Sequence, residues 1–480
     1  MALGRLTLRD AFTRAGRRCR LATPEAFAMF APHLTWFRPV AFLAAALLSA
    51  CAGRAELTVA QGSGLDPVLP PPENALIPVV NPPNAVGWPD RRMPVAAPGL
   101  KVNAFATGLD HPRWLHVLPN GDVLVAETNA PPKQTPPSVK KLAMKLVMKK
   151  AGAAVPSANR ITLLRDADGD GVAELRTPLL TGLFHPFGMA LVGDRLYIAN
   201  ADGVVHVPYQ TGDTRITEAP QRLAPLPGGP INHHWTKSLI ASPDGTRLYA
   251  GVGSNSNIAE SGMAAEAGRA AIHEIDIATG RTRVFASGLR NPVGMDWQPQ
   301  SGQLWAAVNE RDMLGSDLVP DYMTSVRDGG FYGWPYSYFG AHLDPRVKPP
   351  RPELVAQAIV PDYALGPHTA SLGLVFYDGA LMPQFAHGAL IGQHGSWNRT
   401  PPSGYKVVFV PFENGQPVGL PRDVLTGFLG EGQDDAYGRP VGVEVARDGA
   451  ILVADDVGNA VWRVTPAATP SEAPAPAASR

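Results

Sequence analysis

One pattern recurs six times along this chain, and it constrains the fold more than any other feature. It is clearest in "GLDHPRWLHVLPNGDVLVAETN" from Gly108, "GLFHPFGMALVGDRLYIANADG" from Gly182, "GLRNPVGMDWQPQSGQLWAAVNERD" from Gly288 and "YGRPVGVEVARDGAILVADDVGN" from Tyr437. Two more divergent copies begin at His233 and His368. Each copy has a polar or Pro-bearing approach, a strand of alternating apolar residues, a turn with Gly or Asp, and a second strand ending in a small residue, which together read as a β-hairpin. A lone hairpin is marginal in water, so six of them must bury their faces against one another. Starts at residues 108, 182, 233, 288, 368 and 437 leave each copy room for four strands, some with insertions. The expected fold is all-β, a six-bladed β-propeller with short helical insertions, spanning 99–466 as one domain. Segments of 3.6-residue period are nearly absent, which disfavours an α/β fold.

Composition agrees: Gly and Pro number 49 each, suiting many turns. Lys+Arg and Asp+Glu are both 42, so no basic excess argues for nucleic acid as partner. One helix is expected, in "SVKKLAMKLVMKKAG" at 138–152. There Lys141, Lys145 and Lys149 repeat every fourth position and Leu142, Leu146 and Val147 share another side. It suits a cap on one propeller edge, with a membrane surface or an acidic redox partner as the alternative contact.

The N-terminus carries Arg38, an apolar run from Val40 to Ala50, and then Cys51 behind small residues. This reads as an export signal with a lipoprotein-type cleavage site over 1–51, with Met29 as an alternative start. A non-lipidated signal is the competing reading. Cys51 would carry the lipid, placing the protein in the periplasm, anchored to the membrane. No cysteine follows Cys51, so no disulfide frame supports the fold. Residues 52–98 read as a Pro-rich tether and lead-in, and 467–480 as a disordered Pro/Ala-rich tail.

Propeller blades bring their strand approaches together at one mouth of the central channel. The approaches contain His111, His185, His233, His234, Arg290, Asn291, His368 and Arg439, and other strand ends add Glu127, Asn129, Asn309, Glu310, Arg399 and Asp455. Such a set suits an anionic, planar, oxygen-rich ligand, although a single histidine there is more often a structural hydrogen-bonder. Lys237 is expected to point to solvent. "RDADGDGVAEL" sets Asp166, Asp168 and Asp170 in calcium-loop spacing, but Thr177 stands at the twelfth position, so a polar hairpin turn is favoured.

"GLRNPVGMDW", "GGFYGWPYSYFG", "GQHGSWNRTPPSGYKV" and "GRPVGVEVARDGAILVADD" together resemble the exported pyrroloquinoline-quinone-dependent sugar dehydrogenases, most of all the L-sorbosone dehydrogenase branch. The resemblance covers roughly 99–466. It implies a catalytic base at His234, with His233 as the alternative. It also implies Arg290 and Asn291 as a pair that binds the quinone and orients substrate, with Arg290 stabilising developing charge. Arg439 would pair with a cofactor carboxylate, and Arg399 would lie over the quinone, with Lys406 as competitor. The family's calcium loop is longer here, in "NERDMLGSDLVPDYMTSVRDGG", and Glu310, Asp312 and Asp317 become the candidate calcium ligands, with Asp321 either a further acid of that loop or an acidic turn residue.

The implied activity is oxidation of a sugar or sugar aldehyde by hydride transfer to pyrroloquinoline quinone, with calcium polarising the cofactor and electrons leaving to a periplasmic acceptor. Two other readings stay open. A calcium-dependent lactonase would need acids converging on the ion. A non-catalytic binding lipoprotein would expose aromatics at the mouth, where Trp235 and Trp397 lie beside candidate residues.

Overall fold

A hairpin with apolar residues on both faces needs a neighbour on each side, and closing six of them into a ring provides one. The computed structural model describes residues 53–73, 79–89, 91–132 and 146–467, and there the ring is complete. The export signal with Cys51, the tail beyond 467 and most of the lysine-rich insertion lie outside the described residues.

Counting from the channel outwards, blade 1 is Pro112–Val117, Val123–Glu127, Arg160–Arg165 and Leu175–Leu180. Blade 2 is Met189–Val192, Arg195–Asn200, Gly203–Pro208 and Gln221–Pro225, and blade 3 is Lys237–Ala241, Arg247–Val252, Ala271–Asp276 and Thr282–Ser287. Blade 4 is Pro292–Trp297, Leu304–Val308, Pro320–Ser325 and Tyr363–Pro367. Blade 5 is Ser371–Phe376, Ala389–Gln393, Lys406–Val410 and Arg422–Thr426. Blade 6 takes Pro440–Val445, Ile451–Asp455 and Ala460–Pro466 from the C-terminal region, but its outermost strand is Leu100–Thr107, in register from Ala460 opposite Thr107 to Pro466 opposite Leu100. One sheet built from both ends of the domain locks the ring.

The "PVGM"-type motif explains how tightly the inner strands meet. A Cβ on Gly294 would lie 2.4 Å from the Leu374 nitrogen, and one on Gly188 would lie 2.2 Å from the Leu239 nitrogen. Only glycine permits the inner strand of one blade to touch the backbone of the next. Between blades the contacts are apolar: Trp114 stacks at 4.7 Å on Phe187, which meets Trp235 edge-on at 6.0 Å. Burying such side chains stabilises by about 1.5–3 kcal/mol each.

The Pro-rich lead-in differs from the tether that its composition suggests. Ser63–Gly64 adds a fifth strand to blade 4, Val95–Ala96 adds one to blade 5, and Asn84–Ala85 pairs with Asp435–Ala436. Trp88 enters an aromatic group with Phe428, Tyr437 and Trp462 and donates its indole N–H to Asp455 at 2.7 Å. Proline removes a donor without removing the power to pack, so a chain with few ladder bonds can still be fixed by side chains. In the hairpin at the rim of blade 1, Glu174 rather than Thr177 joins Asp166, Asp168 and Asp170, and the carboxylates accept main-chain N–H groups of their own turn.

Candidate active site

The approach residues converge at one mouth as expected, and their recurrence has a structural cause. Each blade's approach sends a polar side chain to a main-chain oxygen of the preceding blade. His111 Nδ1 reaches Asp456 at 3.0 Å, His185 Nδ1 reaches Asn129 at 2.6 Å, and Asn232 Nδ2 reaches Ala201 at 3.1 Å. Arg290 Nε reaches Asn257 at 3.3 Å, His368 Nε2 reaches Gly315 at 2.8 Å, and Arg439 Nε reaches His394 at 2.9 Å. These are six inter-blade latches. The strand ends left over from ladder bonding need donors when buried, and His, Asn and Arg supply them.

The three candidate arginines are accordingly buried and bonded within the protein. Arg290 is 3% exposed, and its remaining donors go to Asn309 and Glu310 carbonyls, Asn257 Oδ1 and Asp312 Oδ2. Arg399 binds the Ser316, Pro401 and Leu57 carbonyls and pairs with Asp317 at 3.2 Å. Arg439 also binds Ala151 and Gly395 and lies over the Tyr405 ring. They charge the mouth more than they present free donors to it. Lys406 pairs with Asp423 on the third strand of blade 5.

Of the two adjacent histidines, His233 is exposed and His234 half-buried. His234 Nδ1 lies 2.9 Å from the Ser254 carbonyl and 3.0 Å from Ser254 Oγ, which itself donates to Ser256. Both partners accept, so Nδ1 carries the hydrogen and Nε2 keeps a lone pair. Burial, then the Arg290 guanidinium and His233, hold this imidazole well below its ordinary pKa. His234 is therefore a neutral, anchored imidazole at neutral pH.

Lys237 corrects its expectation: it is 0% exposed, and Nζ donates to the Trp235 carbonyl at 3.0 Å and to Asn232 Oδ1 at 3.4 Å. Inner strands of a propeller are covered on both faces, so strand alternation does not deliver a residue to solvent there.

Glu310, Asp312 and Asp317, proposed together as calcium ligands, do not form one cluster among the described residues. Asp317 accepts the Glu56 and Leu57 N–H groups at 2.6 and 3.0 Å besides its Arg399 pair. Asp312 is held by Arg290 and by Asn398 Nδ2 at 3.0 Å; burial opposes its ionisation, but His368 and Arg290 keep its pKa low. Glu310 alone retains a buried oxygen, Oε1, without a partner, and burial pushes its carboxyl up to about 7. A hard cation fits that oxygen. Asp321 is a buried strand residue whose carboxylate accepts the Glu310 and Ser371 N–H groups, and burial raises it to about 6.

A second imidazole went unread in the sequence. His394 Nε2 donates to Asp456 Oδ2 at 2.9 Å, and Arg113 reaches the same oxygen at 2.6 Å. Burial and the Arg439 guanidinium lower His394 to about 3, so it too is neutral. The signal was present in "GQHGSWN", but nothing in its spacing announces Asp456 as its partner. Around this mouth several buried polar atoms lack a protein partner: Asn291 Oδ1, Glu310 Oε1, His111 Nε2, Arg113 Nε, Asn398 Oδ1 and Asp456 Oδ1. Unsatisfied groups are rare in native interiors, and donors mixed with acceptors suit an oxygen-rich cofactor or a polyhydroxylated ligand.

The family described as TrAA12-like matches residues 94–324 and 355–467, which is most of the propeller. The chain belongs to that family. A Borreliella burgdorferi protein without assigned function is 28% identical over 290 residues, covering 58% of this chain and 75% of its own. The TrAA12-like chain is also 27% identical over 290 residues to a pyrroloquinoline quinone-dependent pyranose dehydrogenase of Coprinopsis cinerea, covering 48% of this chain and 39% of that one. Among solved structures, the holo form of the pyranose dehydrogenase quinone domain from Coprinopsis cinerea superposes with TM-score 0.62 at 21% identity, covering 79% of this chain and 98% of that one. A calcium structure of the Trichoderma reesei AA12 enzyme does so with TM-score 0.62 at 18%, covering 82% and 100%. At these identities the superpositions establish the fold.

Proposed function

We propose that this protein oxidises a sugar or sugar aldehyde, of the aldose or L-sorbosone type, with pyrroloquinoline quinone as its cofactor and calcium beside it. The observation that carries the reading is His234: a neutral imidazole, fixed through Nδ1, with Nε2 free at a cationic mouth. The names of two relatives, an aldose sugar dehydrogenase of Escherichia coli and the pyrroloquinoline quinone-dependent pyranose dehydrogenase, support it. When bound, the quinone supplies the hydride acceptor.

The chain's own residues do the rest. His234 Nε2 takes the proton from the substrate hydroxyl, or from the gem-diol of a hydrated aldehyde. Arg290, fully bonded and therefore immobile, sets a fixed positive charge beside that proton transfer and stabilises the negative charge that develops. Asn291 Oδ1 is available to accept a hydrogen bond that orients the ligand. Glu310 Oε1 is the oxygen this loop offers to calcium. Arg399 and Arg439 act on an anionic cofactor through their charge, each held by main-chain oxygens. His394, held by Asp456, is the second candidate base, since its Nδ1 also keeps a lone pair. We place the protein in the periplasm, anchored at Cys51, with electrons leaving to an acceptor there.

The test is dye-linked sugar oxidation by metal-stripped protein, with quinone and calcium restored singly and together, for the parent, His234→Ala and His394→Ala. Turnover that requires the quinone and vanishes in His234→Ala supports the reading, and loss only in His394→Ala moves the base to blade 5. Absence of turnover on every sugar and aldehyde, with no quinone retained, refutes it.

A further inference from the structure

Lys237 and Arg269 are buried cations with no carboxylate within ion-pair reach among the described residues. Unpaired buried charge is costly, and a fold retains it where it does something else. Both converge on one short segment. Asn232 Oδ1 accepts from Lys237 Nζ at 3.4 Å and from Arg269 Nη2 at 3.0 Å. Two carbonyls further along are taken as well: Arg269 Nη2 binds that of His234 at 2.9 Å, and Lys237 Nζ binds that of Trp235 at 3.0 Å. Arg269 Nη1 continues to the Pro227 carbonyl at 2.8 Å, which ties the segment to the loop before it. Asn232 itself latches to blade 2 through Ala201.

The imidazole above is thus fixed from two sides, by Ser254 on its ring and by two cations on its backbone. We propose that Lys237 and Arg269 are positioning residues for the His233–His234 segment: they clamp its main chain and hold the His234 ring in one orientation, with the Arg269 guanidinium adding positive charge beneath it. They touch neither substrate nor cofactor. Around His234 the other charged or titratable groups are His233 on the same segment, Arg290 from the approach to blade 4, and Glu266, which accepts the Asn255 N–H and the Ser256 hydroxyl and acts on Arg269, while Asp202 acts on Lys237. Burial, and the Arg269 guanidinium, lower the Lys237 pKa well below its ordinary value, and its amine donates both bonds in either protonation state. The inference deepens the oxidation reading, because it concerns the base of that reaction.

It is tested on the full chain without cofactor, by histidine NMR titration in which His234→Asn assigns the ring signal. Arg269→Gln is expected to raise the His234 midpoint and to broaden its signal. Lys237→Met should broaden the signal with a smaller shift of the midpoint, and Arg269→Gln serves alone if Lys237→Met fails to fold. In the dye-linked assay with quinone and calcium, kcat should fall roughly tenfold or more with KM for the sugar nearly unchanged. A folded variant whose His234 midpoint and signal match the parent overturns the inference and leaves the cations as scaffold. If the parent protein shows no turnover, the oxidation reading fails while the titration still decides the clamp.

Discussion

Replacing Gly294 by alanine tests the claim that inner strands meet backbone to backbone. A Cβ there would lie 2.4 Å from the Leu374 nitrogen, 2.5 Å from the Leu372 oxygen and 2.7 Å from Leu374 Cβ. Ordinary contact needs roughly 3.5 Å, so blades 4 and 5 must separate locally by about 1 Å. Overpacking a core costs about 1–3 kcal/mol when side chains can shift. Here two of the three atoms are main chain and belong to a closed ring, which puts the expected loss at about 3 kcal/mol or more. For a domain of this size that lowers Tm by roughly 6 °C, taking about 2 °C per kcal/mol. Urea unfolding followed by tryptophan fluorescence measures it, with Gly432→Ala as control. Gly432 is exposed, and its nearest contact would be a side-chain oxygen at 3.5 Å, so that variant should stay within about 0.5 kcal/mol of the parent. If Gly294→Ala unfolds at the same urea concentration as the control, the inner strands are not closed by glycine and the account of the motif is wrong.

Two further outcomes follow from buried charge. Arg399→Met leaves Asp317 buried beside the Glu56 and Leu57 amides without its cation, and should cost about 3–5 kcal/mol; adding Asp317→Asn should restore part of that loss in a double-mutant cycle by urea unfolding. Burial raises the folded-state pKa of Asp296 to about 7, and burial and the nearby Asp296 raise that of Glu444 to about 8. Unfolded carboxyls titrate at about 4, so between roughly pH 4 and 8 the folded chain holds more protons on these two groups, and their contribution to stability falls as pH rises through that window. By calorimetry, the Tm of the parent relative to that of the Glu444→Gln, Asp296→Asn double variant should decline from pH 5 to 8.

The fold was legible because each blade repeats one hairpin, and a hairpin's pattern is local: the six starts read from the sequence lead into inner strands at 112, 189, 237, 292, 371 and 440. The site was legible in its membership and less so in its chemistry. That His111, His185, Arg290, His368 and Arg439 gather at one mouth follows from the repeat, but whether such a side chain faces a ligand or a neighbouring blade depends on which carbonyl lies opposite, and that is set by sheet packing. Lys237 shows the same limit, since alternation along a strand says nothing of what covers each face. Trp88 shows it too: its partners Phe428 and Trp462 are remote in sequence, so composition alone made its segment look like a tether.

The strand Leu100–Thr107 has a consequence in time. It belongs to the earliest part of the propeller to be synthesised, and its partner, Ala460–Pro466, belongs to the last. Through the making of the five intervening blades it has nothing to pair with, and its long-range contacts raise the contact order, which slows folding. A chain translocated from its N-terminus would therefore carry an open sheet edge until its final strands emerge. In an exported chain, translocation and ring closure would be successive events, and a binder of unpaired edges would have its opportunity between them.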